Sequence, residues 1–469
     1  MYRTASLIVG NLSGLFLTVI LARILKPEQF GIYSLTLSIC SLALAFADLG
    51  IDGAVVRYTA YHIGKGNLEK VRGHFRYFLK IKFILAFVVS AMLILFSRTF
   101  ASFFGDGKLT LPFVFAGLVV LSASFTDLLN AFFVGLQEFK YSLLRQICYE
   151  FSRWVLILPL SILFLAPGAV AGYSLAHLIA GIVLFIVLLR RYNNLVFGRA
   201  ESVDEKVLSY IGLVTIAGLS GIIYANIDSI MIGYLLTPTD VGYYKAAYTI
   251  VFAIAGLLSI GNVFLPIFTQ LEGKNLNLVL NRLAKYTSVV IFPLVFILLY
   301  FSEEIIRVIY GAEYLNATSA MFLLSFVLIP SAFGYLGLVF LAKELPQYPA
   351  YIKILSMILN VILNYFLILA MGIKGAALAT VISRFFSEIS IIILLHKILK
   401  LNVSFNTALK TFIAALIMFS ALCLMPEPNS IFLGVAELCI AGVVYLLIVF
   451  STGILNIDDI RYFSKLFRV

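Results

Sequence analysis

Charge is scarce in this sequence: 12% of its 469 residues are Asp, Glu, Lys or Arg, against about 25% in a soluble domain. That balance excludes a solvated surface wrapped around a small core, and nucleic acid is not an expected partner. Cysteine and histidine are scarce too, with four of each. Cys40, Cys148, Cys423 and Cys439 stand singly in apolar runs, and His62, His74, His177 and His396 show no ligand spacing. No metal site is expected from them. His177, alone on an apolar stretch, is expected to be a packing residue. A P-loop is missing, which argues against transport driven by the chain's own ATP hydrolysis.

Apolar residues make up 62% of the chain, and they come in runs of about 20, the length that crosses a hydrocarbon core of about 30 Å. A transmembrane barrel would instead show alternating segments of about 10 residues. The expected fold is an all-α polytopic membrane protein with about fourteen crossings. The first apolar run, Ser6 to Leu25, is followed by no small-residue cleavage pattern and is expected to be a permanent span.

One turn occurs twice. Leu25, Pro27, Gly31 and Tyr33 find the same residues 211 positions later, at Leu236, Pro238, Gly242 and Tyr244. Each copy joins two apolar runs, with Pro ending or bending one helix and Gly opening the next without crowding its neighbour. Gln137 to Tyr141 likewise corresponds to Glu344 to Tyr348, and Gly168-Ala-Val-Ala-Gly to Gly375-Ala-Ala-Leu-Ala, at an offset of 207. The expected domains are a six-helix bundle over 1–195, a second over 196–400, and two further helices with an amphipathic tail over 401–469. An even number of spans per repeat gives both bundles one orientation, related by a pseudo-twofold axis along the membrane normal, around a cavity.

Lys and Arg gather in alternate loops, above all Arg57 to Lys80 and Arg190 to Lys206. By the positive-inside rule those loops, Lys82 at the start of the expected span from Phe78, and both termini face the cytoplasm. A sharper reading of the same loops is that they collect anionic lipid headgroups near a cavity mouth.

The first turn, followed by Phe46-Ala-Asp-Leu-Gly-Ile-Asp-Gly-Ala-Val-Val-Arg-Tyr, resembles the polysaccharide-biosynthesis flippases of the multidrug/oligosaccharidyl-lipid/polysaccharide exporter superfamily. Ile227-Asp-Ser-Ile-Met-Ile-Gly-Tyr and Val241-Gly-Tyr-Tyr-Lys-Ala-Ala-Tyr are similar to that family as well. The resemblance implies a MATE-like fold, a place in the plasma membrane, and no enzyme activity. It also implies movement of a polyprenyl-pyrophosphate-linked oligosaccharide to the outer leaflet by alternating access, alongside other polysaccharide-assembly proteins. A cation-coupled multidrug or metabolite antiporter and a lipid II flippase share the plan and stay open. A membrane glycan polymerase is a remote alternative, because the outer loops are short.

Ionisable groups inside a membrane are costly and by default face a cavity or a partner. On the flippase reading, Arg23, Arg57 and Lys245 contact the anionic substrate, since planar guanidinium groups bind phosphate oxygens in pairs. Snorkelling to the interface is the alternative for Arg23, and an ordinary loop charge for Arg57. Arg153 follows Glu150 by three residues and Arg384 precedes Glu388 by four, spacings that favour internal ion pairs over substrate contact. Asp48 and Asp52, at i and i+4 and so expected on one helix face, and Asp228 with Asn226 either bind Na⁺ or H⁺ and couple its gradient, or neutralise the cations. Asp127 with Asn130, and Asn360 with Asn364, are expected to bridge helices. Gly10 and Gly14 are expected to allow close helix packing.

Overall fold

The computed structural model describes residues 2–203, 207–257, 261–426 and 431–456. Lys206 and the expected amphipathic tail after Asn456 lie outside them. Among the described residues the regular structure is helical throughout. The longer helices are α1 (Tyr2–Asp48), α2 (Ile51–Gly64), α3 (Leu68–Leu95), α4 (Thr110–Gly135), α5 (Phe139–Arg191) and α6 (Val207–Leu235). They continue as α7 (Pro238–Leu257), α8 (Gly273–Tyr300), α9 (Gln347–Met371), α10 (Ile373–Leu399), α11 (Asn406–Cys423) and α12 (Ile431–Ser451).

Nine described helices are long and apolar enough to cross a membrane, or ten with the bent pair over 312–342, against the fourteen expected. Part of the difference is that α1 and α5 each hold two expected crossings. At 47 and 53 residues they would run about 70 and 80 Å if straight, more than twice the hydrocarbon thickness. Each is broken midway. Lys26 has φ 63° and ψ 168°, just before Pro27, whose fixed φ then suits the first position of a new helix. In α5 the break is Leu165, with φ 55° and ψ −139°, between Pro159 and Pro167. The helices α6 and α7, which also carry expected crossings, abut segments outside the described residues.

The repeats are reproduced in backbone detail. Gly372 has φ 61° at the position matching Leu165, and Glu344 matches Gln137 at 59° against 61°. A Cβ on Gly168 would lie 2.0 Å from the Leu160 carbonyl oxygen, and one on Gly375 would lie 1.9 Å from that of Leu367.

The chain forms two compact units, one of 1–246 with 361–376, the other of 247–360 with 377–469. In the first, α2 to α5 pack through Val55, Phe75, Leu128, Phe132 and Leu184, with the Phe75 and Phe132 rings 4.2 Å apart. In the second, Tyr335 donates to the Leu280 carbonyl at 3.1 Å, and Tyr445 to that of Val289 at 2.7 Å.

Two arginines of the basic loop hold backbone. Arg72 donates to the carbonyls of Asn194 (2.6 Å) and Arg199 (3.0 Å), and Arg76 to that of Gly198 (2.9 Å). The segment after α5 is thereby laid along α3. Asn67 caps α3 by accepting from the Lys70 amide at 2.9 Å. This helix therefore starts ten residues before the expected span at Phe78, and Lys82 lies well inside it.

A charged cavity in the first unit

The cavity begins with a broken helix. α1 ends at Asp48 and α2 starts at Ile51, because Leu49 (φ 44°) and Gly50 (φ 77°) are left-handed. The Asp48 carboxylate accepts from the amides of Gly50 and Asp52, both at 3.1 Å, and so satisfies the opening turn of α2. The Leu49 carbonyl accepts from the Thr215 hydroxyl of α6 at 2.5 Å. Irregular backbone survives at membrane depth where it lines a polar cavity, and this stretch does.

About 520 Å³ of space lies here, lined by Ser41, Asp48 and Asp52, by Lys82 of α3, by Ser124 and Asp127 of α4, and by Thr215 and Asn226 of α6. The Lys82 side chain is 3% exposed and is held by two carboxylates, Asp48 Oδ1 at 2.8 Å from Nζ and Asp52 Oδ1. Asp127 lies 3.5 Å from an Arg145 nitrogen. Three carboxylates therefore face one lining ammonium, with a guanidinium beside them.

Two expectations are corrected. Asp48 and Asp52 do not share one helix face, because the left-handed turn lies between them; they converge on Lys82 instead. Lys82 is no loop charge, because α3 carries it inside the unit. No local signal marks it, since the cation beside these acids in sequence is Arg57, five residues after Asp52. Asp127, expected to bridge helices with Asn130, lines the cavity. Of the ion-coupling candidates, Asp48, Asp52 and Asn226 line it, and the Asn226 amide also donates to the Ile222 carbonyl at 2.9 Å.

The other candidates sit elsewhere. Arg23 and Arg57 are exposed, and neither lines the cavity. The Arg57 guanidinium lies 6.0 Å from the Tyr58 ring centroid. Asp228 is buried and accepts from the Tyr244 hydroxyl at 2.6 Å and the Asn364 amide at 2.7 Å. It also acts electrostatically on Lys245, the next residue along α7.

Arg153 donates to Glu150 at 3.1 Å, the internal pair its spacing suggested. Glu150 also accepts from Ser13 at 2.6 Å and Gln146 at 3.0 Å, and Trp154 donates to Ser13 at 2.9 Å. A Cβ on Gly10 would meet the Gln146 amide nitrogen at 2.7 Å, so that glycine admits the network. His177 is enclosed by Tyr149 and Tyr173, with ring centroids at 4.5 and 5.0 Å. In the second unit Arg384 stacks 5.4 Å from the Phe252 centroid, within electrostatic reach of Glu388.

Known proteins share this plan. The profile of the family described as polysaccharide biosynthesis protein matches residues 1–272. An uncharacterized membrane protein of Methanocaldococcus jannaschii is 25% identical over 94% of this chain and 92% of its own. The probable low-salt glycan biosynthesis flippase Agl15 of Haloferax volcanii is 24% identical over 77% of this chain and 75% of its own. Among solved structures, the lipid II flippase MurJ in an inward closed conformation matches at a TM-score of 0.75. It is 16% identical and covers 95% of this chain and 97% of its own. An inward-facing multidrug resistance MATE family transporter of the MOP superfamily matches at 0.66, 15% identical, over 90% and 96%. These two share the fold. With a family match over more than half its length and helices built to cross a membrane, the chain belongs to the polysaccharide biosynthesis protein family of membrane flippases and is a transporter, not an enzyme.

Proposed function

We propose that this protein moves a polyprenyl-pyrophosphate-linked oligosaccharide from the cytoplasmic to the outer leaflet of the plasma membrane by alternating access. The observation that carries the reading is the polar cavity among apolar helices, walled by α1 to α4 of the first repeat and α6 of the second. Its carboxylates, hydroxyls and amide offer acceptors and donors to sugar hydroxyls, while the lipid tail stays in the bilayer. The named function of Agl15 supports a lipid-linked glycan. Arg23, Arg57 and Lys245 supply the charge that follows the pyrophosphate, while Arg153 and Arg384 keep to Glu150 and Glu388. Both termini are cytoplasmic, and the repeats 1–195 and 196–400 rock about the cavity. Asp48, Asp52, Asn226 and Asp228 couple the cycle to a Na⁺ or H⁺ gradient.

Proteoliposomes loaded with a polyprenyl-pyrophosphate oligosaccharide test this. Protein-dependent exposure to an external glycosidase is expected, reduced in Lys245→Ala. Continued protection of the substrate, with Na⁺ and H⁺ gradients imposed, would overturn flipping. The acidic cavity would then favour a cation-coupled antiporter.

A further inference from the structure

The Lys82 ammonium sits where a metal cation would. Its two carboxylate partners arrive from separate helices, Asp48 at the end of α1 and Asp52 in the first turn of α2, and both Oδ1 atoms point at the same Nζ. A third oxygen is available. Ser124 of α4 is 3% exposed and lines the same cavity, and its hydroxyl has no hydrogen-bond partner. Asp127 follows it by three residues on one face of α4 and is shared with Arg145. Oxygen-only surroundings of carboxylate and hydroxyl suit a hard cation such as sodium, whereas softer metals prefer imidazole or thiolate.

We propose that Asp48, Asp52 and Ser124 form a monovalent-cation site, filled in this structure by the ammonium of Lys82, for which a free sodium ion is the alternative occupant. Lysine is a compact charge on a four-carbon stem, able to leave without backbone movement. Its departure leaves two half-buried carboxylates facing each other without a countercharge, and that like-charge repulsion favours a replacement cation. An anion in the cavity that draws Lys82 away therefore strengthens sodium binding, and sodium strengthens anion binding by the same factor. The inference concerns the cavity used in the flipping reading, but it is read by ion binding, so either can fail alone.

The test uses the purified full chain in detergent, with radioactive sodium binding and thermal unfolding in sodium chloride against choline chloride. Lys82→Ala is expected to bind one more sodium ion per chain than wild type and to gain a sodium-dependent rise in Tm. Adding Asp52→Asn should abolish both gains, whatever other sodium sites the chain holds. Lys82→Gln serves as a second variant that keeps hydrogen bonding to the carboxylates. A monodisperse Lys82→Ala with the wild-type sodium stoichiometry would overturn the proposal. So would aggregation of both variants to the same extent in the two salts, since sodium is expected to rescue the emptied site.

Discussion

Gly31 and Gly242, 211 positions apart, meet backbone to backbone. A Cβ on Gly31 would stand 1.7 Å from the Pro238 carbonyl oxygen, and one on Gly242 would stand 2.1 Å from that of Pro27. The two copies of the duplicated turn are thus each other's neighbours, and each glycine makes room for the other copy's proline carbonyl. Backbone cannot retreat as a side chain can, so Gly31→Ala and Gly242→Ala should each cost about 1–3 kcal/mol or more. Thermal unfolding in detergent reads this as a lowered Tm. Gly442→Ala, whose Cβ would meet nothing within 4 Å, should leave Tm near wild type.

A gain in stability is expected at Leu165. Its φ of 55° and ψ of −139° belong to glycine, and glycine stands at the matching position, Gly372, with φ 61°. Backbone strain of this kind is worth about 1–3 kcal/mol, and the exposed Leu165 side chain contributes little packing. Leu165→Gly should therefore raise Tm, while Gly372→Leu should lower it. A fall in Tm for Leu165→Gly would show that the side chain contributes more than the strain costs.

Much of this architecture is written in local signals. Apolar runs mark the helices, Pro27 and Gly31 mark the turn, and the i, i+3 spacing of Glu150 and Arg153 marks their pair. The Lys82 site was not legible, because its partners come from two helices separated by a turn and lie 34 and 30 residues away in sequence. The run around it, Phe78-Leu-Lys-Ile-Lys-Phe, reads as a membrane boundary, whereas α3 begins at Leu68 and carries Lys82 to the cavity wall. The break after Asp48 was half-hidden, since Gly50 is a visible turn residue but a leucine in a left-handed conformation leaves no mark in composition.

The Glu150 network is a buried ion pair with extra donors. Arg153 is 13% and Glu150 7% exposed at the side chain. Removing one partner of such a pair leaves a charge in a poor solvent, so Glu150→Ala should cost about 3–5 kcal/mol. Ser13→Ala removes a neutral donor to Glu150 and the acceptor of Trp154, and should cost about 1–3 kcal/mol. The double variant Glu150→Leu/Arg153→Met should recover part of the loss, and a double-mutant cycle on Tm measures the coupling.

A pH dependence is expected at the loop between α4 and α5. Hydrogen bonds from Lys140 and Tyr192 hold the Glu138 carboxyl below its ordinary value of 4.5. A depressed carboxylate adds stability above the unfolded value and loses it as pH falls through the folded one. Wild type should therefore exceed Glu138→Gln in Tm at neutral pH, with the gap closing below about pH 4. The gap should be less than about 1 kcal/mol, since solvent screens this partly exposed pair. An unchanged gap at low pH would assign the effect to packing instead.

Charge and hydrogen bonding can be separated at Asp228. Its two oxygens accept from Tyr244 and Asn364, and Lys245 lies in its field. Asp228→Ala removes the acceptor of both donors and a buried countercharge together, and a loss of about 3–5 kcal/mol is expected. Asp228→Asn still offers a carbonyl oxygen to the Tyr244 hydroxyl, and the Asn364 amide can turn to present its own oxygen to the new amide. The expected result is a Tm loss well short of that of Asp228→Ala, because the hydrogen bonds are kept, with flipping lost in proteoliposomes, because the negative charge is gone. Flipping retained by a folded Asp228→Asn would confine Asp228 to holding α6, α7 and α9 together and remove it from ion coupling.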